Sequence, residues 1–297
     1  MRKTKSRIIS EKVLKDYQKV LIEEEKSGNT VSQYMRALED FRRYADGRAV
    51  DKSMTLCYKA TLVKAYRASS VNAKLSALNG FFKRMGWYEC IVKLLKIQKE
   101  TFRPDHLVLT RKEYEMLLAA AKRLGQKRLY FAMQTLCSMG LRVSELKFVT
   151  VEAVRLGYAD VTLKGKTRTV LLSKDLRLLL SEYIREQGIT TGCVFVTKNG
   201  KPLDRSNICR DMKALGDETE IVRSKIFPHN LRHLFACVYY EEEKNANHLA
   251  DIMGHSSLDT TRIYTLGSME EEMETLDKMG LVDVSDFRLG RSESGNG

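Results

Sequence analysis

Apolar residues recur every three or four positions through much of the first hundred residues, which is the period of a helix that buries one face. Two series are clear: Val31, Tyr34, Leu38 and Phe41, and then Leu75, Leu78, Phe81 and Phe82. Thr30 and Ser70 stand just before these series, where their hydroxyls are suitable N-caps. The pattern predicts a small all-helical domain.

A different pattern follows. Two helical stretches, LTRKEYEMLLAAAKRL and KRLYFAMQTLCSM, precede YADVTLKGKTRTVLLS, in which apolar and polar residues alternate around a tight KGK turn. That alternation predicts a β-hairpin. Helices return from Lys174 onward, and one further short strand is predicted at CVFVT, residues 193–197. The predicted fold class is mainly α with a small antiparallel β-sheet.

The chain of 297 residues exceeds the usual size of one compact domain, so two domains are expected. KETFRPDHLV has no apolar period and contains one of only three prolines, which favours a linker there. We predict a helical domain at 1–103, a linker at 104–107 and a second domain at 108–285 that ends in a C-terminal helix. A disordered tail is expected at 286–297.

The charge is unevenly distributed between these domains. The formal net charge is +13, yet residues 1–103 contain 23 Lys and Arg against 11 Asp and Glu, while the remainder contains 28 against 27. A concentrated positive charge favours a polyanionic partner, and nucleic acid is the leading candidate. A solvated basic surface without a partner is the alternative.

Cysteine usage and hydropathy limit the class of protein further. The six cysteines include neither a C-x-x-C pair nor a Cys/His cluster at zinc spacing, so reduced thiols and no metal site are expected. No stretch approaches 18 apolar residues, and the N-terminus lacks the apolar run of a signal peptide. A cytoplasmic protein that does not contact a membrane is expected.

The first chemically suggestive motif is SMGLRVSELKFV. Gly140 can end the preceding helix in the left-handed conformation, and Ser144 or a neighbour can start the next one. Arg142 then lies near a helix N-terminus, a favourable place for an oxyanion. Glu145, three residues on, can orient the guanidinium through a charge-assisted bond. A purely structural Arg–Glu pair is the alternative.

The second motif is FPHNLRHLF. His229 and Arg232 are three positions apart, so on a helix they point the same way and can converge on one group. Arginine offers a planar fork for two phosphate oxygens, and histidine can donate or accept a proton near neutral pH. Metal binding is the competing idea, but carboxylates and cysteines do not accompany them. His233 is predicted to face elsewhere and to be packed.

The third motif is IMGHSSLDTTRIYTLG. His255 and Tyr264 are nine residues apart, which would place them on opposite faces of one straight helix. Gly254 and the SSLD cap sequence interrupt the helix, so both side chains can reach the same place. A phenol with its ordinary pKa near 10 is a poor nucleophile and needs a cationic pocket or a proton acceptor.

Together, these motifs resemble the catalytic domain of tyrosine recombinases, the phage integrase and Xer family. GLRVSEL is similar to the family's first arginine box, HNLRH to its His-x-x-Arg box, and MGHSSLDTTRIYT to its closing box with the nucleophile. Their order and spacing agree over residues 108–282. The resemblance implies a Xer-like, two-domain fold, with a SAM-like helical core-binding domain followed by an α+β catalytic domain.

The resemblance also implies a site-specific recombinase that cleaves and rejoins DNA through a 3′-phosphotyrosine intermediate, without a cofactor. Arg142 and Arg232 would clamp the scissile phosphate, His229 and His255 would hydrogen-bond it or move protons, and Tyr264 would attack. The hairpin supplies the family's catalytic lysine, although its turn is one residue shorter than in many Xer-like members. Aligning Gly165 and Arg168 selects Lys164 as general acid, and Lys166 remains the alternative.

The partner implied by the resemblance is double-stranded DNA with inverted-repeat core sites, held between the two domains. Candidate DNA contacts, each with a solvated side chain as the alternative, are Gln33, Arg36, Asn72 and Lys74 in the first domain, and Arg205, Asn207, Arg210 and Lys213 in the second.

The C-terminal helix carries an apolar stripe of Met269, Met273, Leu276 and Met279. The resemblance implies that this helix docks on a neighbouring protomer and links a homotetramer on DNA. Packing against its own domain is the alternative.

Two other functions remain open. A type IB topoisomerase uses similar chemistry but reseals the same strand, so it relaxes supercoils without exchanging strands. A DNA-binding regulator with a vestigial pocket forms no covalent adduct.

Overall fold

A computed structural model of the protein describes residues 7–98, 107–163, 165–255 and 257–279. The chain forms two compact units, Met1–Lys99 and Glu100–Gly297. Residues 104–106 of the predicted linker and the whole of the predicted tail lie outside the described residues.

The first unit is a helical bundle whose core is rich in aromatic residues. Its helices are α1 (Glu11–Glu23), α2 (Gly28–Ala45), α3 (Lys52–Ala65) and α4 (Ala68–Arg84), followed by a 3₁₀ turn at Tyr88–Cys90. The two apolar series of the sequence meet here, because Phe41 of α2 packs against Phe82 of α4 with ring centroids 5.9 Å apart. The predicted all-helical domain is therefore confirmed, within the described residues.

Both N-caps predicted for this unit were wrong. Helix α2 begins one turn before the apolar series, and its N-cap is Ser27, whose hydroxyl accepts from the Thr30 amide. Helix α4 begins at Ala68 without a side-chain cap. A polar first turn adds no apolar residue to the periodic series, so the pattern alone does not locate the start of α2.

An extended segment at 91–98 runs along α3 and α4. The side-chain amide of Asn79 both donates to the Val92 carbonyl and accepts from the Val92 amide, at 2.8 and 3.1 Å. Asn72, two turns earlier on α4, makes the same pair of bonds with Leu95 at 2.9 and 2.8 Å. Two asparagines seven residues apart therefore fasten the end of this unit to its own helix.

The second unit surrounds a larger core and carries the only sheet of the described residues. Its elements are α5 (Arg111–Arg123), α6 (Lys127–Ser138), a 3₁₀ helix (Val143–Phe148), α7 (Val151–Leu156), β1 (Tyr158–Leu163), β2 (Lys166–Leu171), α8 (Lys174–Glu186), α9 (Arg205–Gly216), a 3₁₀ turn (Arg223–Lys225), α10 (Pro228–Glu243), α11 (Ala246–Met253), α12 (Leu258–Arg262) and α13 (Met269–Met279). Buried α6 contacts α5, α8 and α10.

The predicted hairpin is confirmed, because β1 and β2 pair antiparallel. Leu163 pairs with Lys166, so the turn has two residues, and Gly165 occupies the left-handed region with φ +75°. The strand predicted at 193–197 was wrong. That stretch makes two isolated bridges, Thr150 with Cys193 and Val196 with Pro202, because its apolar run buries Val194 and Phe195 in the core rather than joining a sheet.

Helix α13 exposes the apolar stripe predicted for it: Met269, Met273, Leu276 and Met279 are each more than half exposed. In the described part of the chain, the alternative that this stripe packs on its own domain is therefore wrong. No helix there has the length and apolar character needed to cross a membrane.

Candidate functional site

The first motif forms the floor of a cleft in the second unit. Helix α6 ends at Ser138, and Gly140 follows with φ +58°, as predicted; a Cβ there would overlap the ring of Phe235. Arg142 becomes the N-cap of the short 3₁₀ helix. Its guanidinium donates to Glu145 at 2.9 Å and its backbone amide donates to the same carboxylate at 2.8 Å. The predicted Arg–Glu pair is present.

The carboxylate of Glu145 is the centre of a cluster of arginines. It is 1% exposed, and its oxygens lie 2.9 Å from Arg142, 2.7 Å from Arg168 and 3.9 Å from Arg232. Three cations therefore surround one anion. Buried charge without a counter-charge is costly, so this cluster favours the arrival of a further anion.

Arg168 was not among the predicted site residues. It projects from β2, donates to Glu145, and also donates to the Ile252 carbonyl at the end of α11 at 3.1 Å. The φ of Gly254 is +63°, a conformation that favours glycine. A Cβ there would also lie 2.6 Å from the Arg168 Nε and would displace that side chain. The strand alternation, which places Arg168 on the same face as Lys166, is the signal that could have identified it.

Arg232 is almost completely buried on α10. Its Nη1 donates to the Gly140 carbonyl and its Nη2 to the Met253 carbonyl, each at 2.5 Å, so it joins the ends of α6 and α11. Its Nε has no partner among the described residues. Burial and the charge of Arg142 lower the pKa of Arg232 to about 10, so the guanidinium remains charged at neutral pH.

His229 lies in the first turn of α10, one residue after Pro228, and is exposed. Neighbouring protein atoms, and then the charges of Arg232, Arg142 and Arg205, lower its pKa. The imidazole is therefore mainly neutral at neutral pH.

His233 is packed, as predicted, and one of the side chains that it packs against is Tyr264. Its ring meets the ring of Tyr264 edge-on with centroids 4.7 Å apart, and its Nδ1 is 3.4 Å from the thiol of Cys237. The helical wheel of α10 alone directs His233 away from Arg232. The chain after α12 wraps around α10 and brings Tyr264 to that side.

The third motif breaks where it was predicted to break. Helix α11 ends at Met253, Gly254 adopts the left-handed conformation, and Ser257 caps the short α12. The rings of His255 and Tyr264 then stack with centroids 5.9 Å apart. Tyr264 is 2% exposed, and burial raises the pKa of its phenol although Arg232 and Arg142 oppose that shift.

His255 lies between two partners. Its Nε2 is 3.1 Å from the Nη2 of Arg232, and its Nδ1 is 2.9 Å from the hydroxyl of Thr261, which is fully buried and was not predicted as a site residue. Burial, and then Arg232, Arg142 and Arg168, lower the pKa of His255 to about 4. The ring is neutral at neutral pH.

Of the two candidate lysines, Lys164 lies outside the described residues. Lys166 is exposed at the start of β2 and borders a cleft of about 630 Å³ together with Arg142, Arg168 and His255. The start of β2 therefore borders the cleft of the arginine cluster.

The candidate DNA contacts of the first unit fall into two kinds. Gln33 and Arg36 are exposed on α2. Lys74 instead pairs with Asp40 at 2.6 Å and lies over the ring of Tyr66, and the amide of Asn72 is used by Leu95. Two of the four candidates therefore already have structural partners.

The candidates of the second unit lie on α9. Arg205, Arg210 and Lys213 border a shallow cleft together with Arg223, which was not among the predicted contacts. Arg210 also pairs with Asp211 at 3.1 Å. Asn207 completes a capping box with Asp204, so its side chain has a local role at the helix start.

Comparison with known proteins agrees with this geometry. Residues 107–271 match the model of the phage integrase family, and residues 14–87 match the phage integrase N-terminal SAM-like domain. Tyrosine recombinase XerA of Pyrococcus furiosus is 27% identical over 94% of this chain and 98% of its own length. Tyrosine recombinase XerD of Pseudomonas aeruginosa is 30% identical over 80% of this chain and 86% of its own length.

The fold is likewise shared with a solved structure, the lambda integrase tetramer bound to a Holliday junction. It superposes with a TM-score of 0.69 and 18% identity over 85% of this chain and 76% of that chain. The described elements, a helical SAM-like unit and a mainly helical unit with one hairpin, correspond to the two matched domains. The chain therefore belongs to the phage integrase family and is a Xer-like, two-domain tyrosine recombinase, an enzyme of site-specific DNA recombination that breaks and rejoins DNA strands.

Proposed function

We propose that this recombinase cleaves DNA through a 3′-phosphotyrosine intermediate, with Tyr264 as the nucleophile. The observation that carries the proposal is the arginine cluster around Glu145, in which one buried carboxylate faces three guanidinium groups beside the ring of Tyr264. A phosphodiester anion supplies the missing negative charge. Tyr264 belongs to the third motif, and its ring stacks on that of His255.

Arg142 and Arg232 hold the scissile phosphate. The side chain of Arg142 is 37% exposed at the cleft, so its guanidinium is accessible to an anion from solvent. The Nε of Arg232 is a buried donor that lacks a partner among the described residues. In-line attack builds negative charge on the nonbridging oxygens, and fixed guanidinium groups stabilise that charge without reorganising.

Proton transfer completes the reaction. The phenol of Tyr264 is protonated at neutral pH because burial raises its pKa, so its attack requires a proton acceptor. His255, neutral and stacked on Tyr264, takes that role, and His229 hydrogen-bonds the phosphate. Lys164, or Lys166 in its place, protonates the 5′-oxygen as it leaves.

The covalent link keeps the energy of the broken bond. A 5′-hydroxyl from another strand can therefore attack the phosphotyrosine, release Tyr264 and rejoin the DNA without ATP. The same reversal would also permit resealing of the original strand, so strand exchange requires two paired sites.

We further propose that four protomers act together on inverted-repeat core sites. The exposed stripe of α13 supports this, because four large apolar side chains on one short helix favour burial against another protomer. The tetrameric state of the lambda integrase structure on a Holliday junction is consistent with that assembly. Basic side chains of α2 and α9 contact the duplex.

The nucleophile is tested with Tyr264→Phe on a suicide duplex that carries a site selected by the protein from random-sequence DNA. The variant should bind the site with unchanged affinity and form no covalent 3′ adduct, because phenylalanine lacks the attacking oxygen. Tyr240→Phe, on the neighbouring α10, is the matched control and should retain the adduct. An adduct of wild-type yield in Tyr264→Phe would remove this residue from the mechanism.

The two lysines are separated by comparing Lys164→Ala with Lys166→Ala. A substrate with a 5′-bridging phosphorothiolate has a better leaving group and needs no general acid. The variant that lost the acid should be slow on ordinary DNA and recover on this substrate. Recovery of Lys166→Ala alone would overturn the choice of Lys164.

A further inference from the structure

Three side chains of the site form a continuous hydrogen-bonded row from Arg232 through His255 to Thr261. The Nη2 of Arg232 is 3.1 Å from the Nε2 of His255, and the Nδ1 of His255 is 2.9 Å from the Oγ1 of Thr261. Both ends of the row are buried, since Arg232 is 1% exposed and Thr261 is inaccessible to solvent. The imidazole is therefore held from both of its nitrogens.

The chemistry of the two ends determines which nitrogen carries the proton. A guanidinium has five N–H donors and no acceptor, so the Nε2 of His255 must accept the hydrogen bond from Arg232. A neutral imidazole with an accepting Nε2 carries its proton on Nδ1, and that N–H donates to the hydroxyl oxygen of Thr261. The opposite tautomer would direct an N–H group at the N–H groups of Arg232.

The charged and titratable groups that face the ring of His255 all lower its pKa. Arg142 and Arg168 come from the 3₁₀ helix and β2, while His229 and Arg232 come from α10. The carboxylate of Glu145 is bound to Arg142 and Arg168. The ring is thus neutral in this resting arrangement, so its one proton is either on Nδ1 or on Nε2.

We propose that Thr261 is a positioning residue that fixes the tautomer of His255, so that Nε2, on the side of Arg232, is the proton-accepting atom. The role of this tautomer in proton transfer from Tyr264 rests on the proposed function. In the proposed complex, the phosphate accepts the hydrogen bond that the Nη2 of Arg232 otherwise gives to His255, so the guanidinium stays in place and the lone pair of Nε2 becomes free. The O–H bond of Tyr264 then breaks as a new N–H bond forms at Nε2. The phenolic oxygen bonds to phosphorus while the bond from phosphorus to the 5′-oxygen breaks, and the lysine protonates that leaving oxygen. The imidazolium keeps its other proton on Nδ1, hydrogen-bonded to Thr261, and returns the new proton from Nε2 to the phenolic oxygen when Tyr264 leaves.

Thr261→Val tests the hydroxyl with little change of shape, and Thr261→Ser restores it. General-base catalysis contributes about 10²- to 10⁴-fold, so the valine variant should form the covalent adduct on the order of 10- to 100-fold more slowly, while the serine variant stays within about threefold of wild type. Thr260→Val removes an exposed hydroxyl from the same short helix and should have no effect. Unchanged adduct formation by Thr261→Val would overturn the inference.

A second readout does not depend on activity. In the full chain with ¹⁵N-labelled histidine, the ring signals of His255, identified by their absence from His255→Gln, report which nitrogen is protonated. We expect a protonated Nδ1 in the wild type and in Thr261→Ser, and loss of that state in Thr261→Val. A wild-type ring protonated on Nε2 would refute the inference whatever the kinetics show. If Tyr264→Phe still forms the adduct while the NMR result holds, the proposed nucleophile fails and the role of Thr261 as tautomer anchor stands.

Discussion

The two units of this recombinase use charge in opposite ways. The first unit holds nearly all of the net positive charge, yet its described ion pairs all keep some access to solvent, such as Arg42 with Glu39, whose side chains are 36% and 39% exposed. The second unit is nearly neutral, yet it buries Arg232 and Glu145 at 1% exposure each. The excess charge measured along the sequence therefore predicts affinity for a polyanion, whereas the few buried charges determine where chemistry takes place.

The contrast has an energetic consequence. A surface ion pair contributes little because water screens it, while removal of one partner from a buried cluster leaves uncompensated charge. The same kind of substitution should therefore affect the two units very differently. The single tryptophan, Trp87, lies in the first unit, so its fluorescence reports on that unit alone while far-UV circular dichroism reports on both.

The largest effect is expected for Glu145→Gln, which leaves three arginines without their carboxylate. We expect a loss of about 3 kcal/mol in the free energy of unfolding of the second unit. Urea unfolding followed by circular dichroism should show the loss, while the transition followed by Trp87 fluorescence stays in place. Glu39→Gln is the matched surface control and should cost less than about 1 kcal/mol. Equal costs for the two variants would contradict the comparison.

The two units should also differ in the pH range over which acid lowers their free energy of unfolding. All five histidines lie at or after residue 106, and the folded-state pKa of His255 is lowered to about 4 from an ordinary 6.5. The unfolded chain then binds more protons, so the second unit should lose stability as pH falls from about 6.5 to about 4, by on the order of 2 kcal/mol. Full stability is present above that range.

The first unit should respond only at lower pH. Lys15 and Arg42 lower the pKa of Glu11 and Glu39, whose contribution is present above their ordinary pKa of 4.5 and is lost below it. Urea unfolding at a series of pH values, followed by Trp87 fluorescence and by circular dichroism, measures both. If the second unit of a His255→Gln variant kept the full pH dependence of its free energy of unfolding, groups other than His255 would be its source.

The smallest effects should distinguish structural from DNA-contacting residues within the first unit. Asn72→Ala removes two hydrogen bonds to Leu95 and should cost about 1 to 2 kcal/mol in the transition followed by Trp87. Arg36→Ala should leave that transition unchanged and lower the salt dependence of DNA binding by about one unit in the slope of log K against log salt. The opposite pattern, with a salt effect from Asn72→Ala alone, would restore Asn72 as a DNA contact.

Local chemistry in the sequence determined much of this molecule. The helical period located the core of the first unit, and strand alternation located the hairpin. Gly140 and Gly254 ended their helices as predicted, because glycine adopts positive φ at little cost. The motifs also brought out Arg142, Arg232, His255 and Tyr264, whose spacing around helix breaks is readable along the chain. The run at 193–197 was misread, since a short apolar run fits a strand and a buried loop equally well.

The tertiary structure decided which side chains contact one another. Arg168 belongs to the arginine cluster because a strand meets the end of α11, His233 faces Tyr264 because the chain after α12 wraps around α10, and Asn72 is fastened to a segment 23 residues away. Such contacts join parts of the chain that no local period relates. Sequence by itself determined which side chains could do phosphoryl chemistry, and packing decided which of them share a carboxylate, a hydrogen bond or a proton, because those properties depend on distance in space and on exclusion of water.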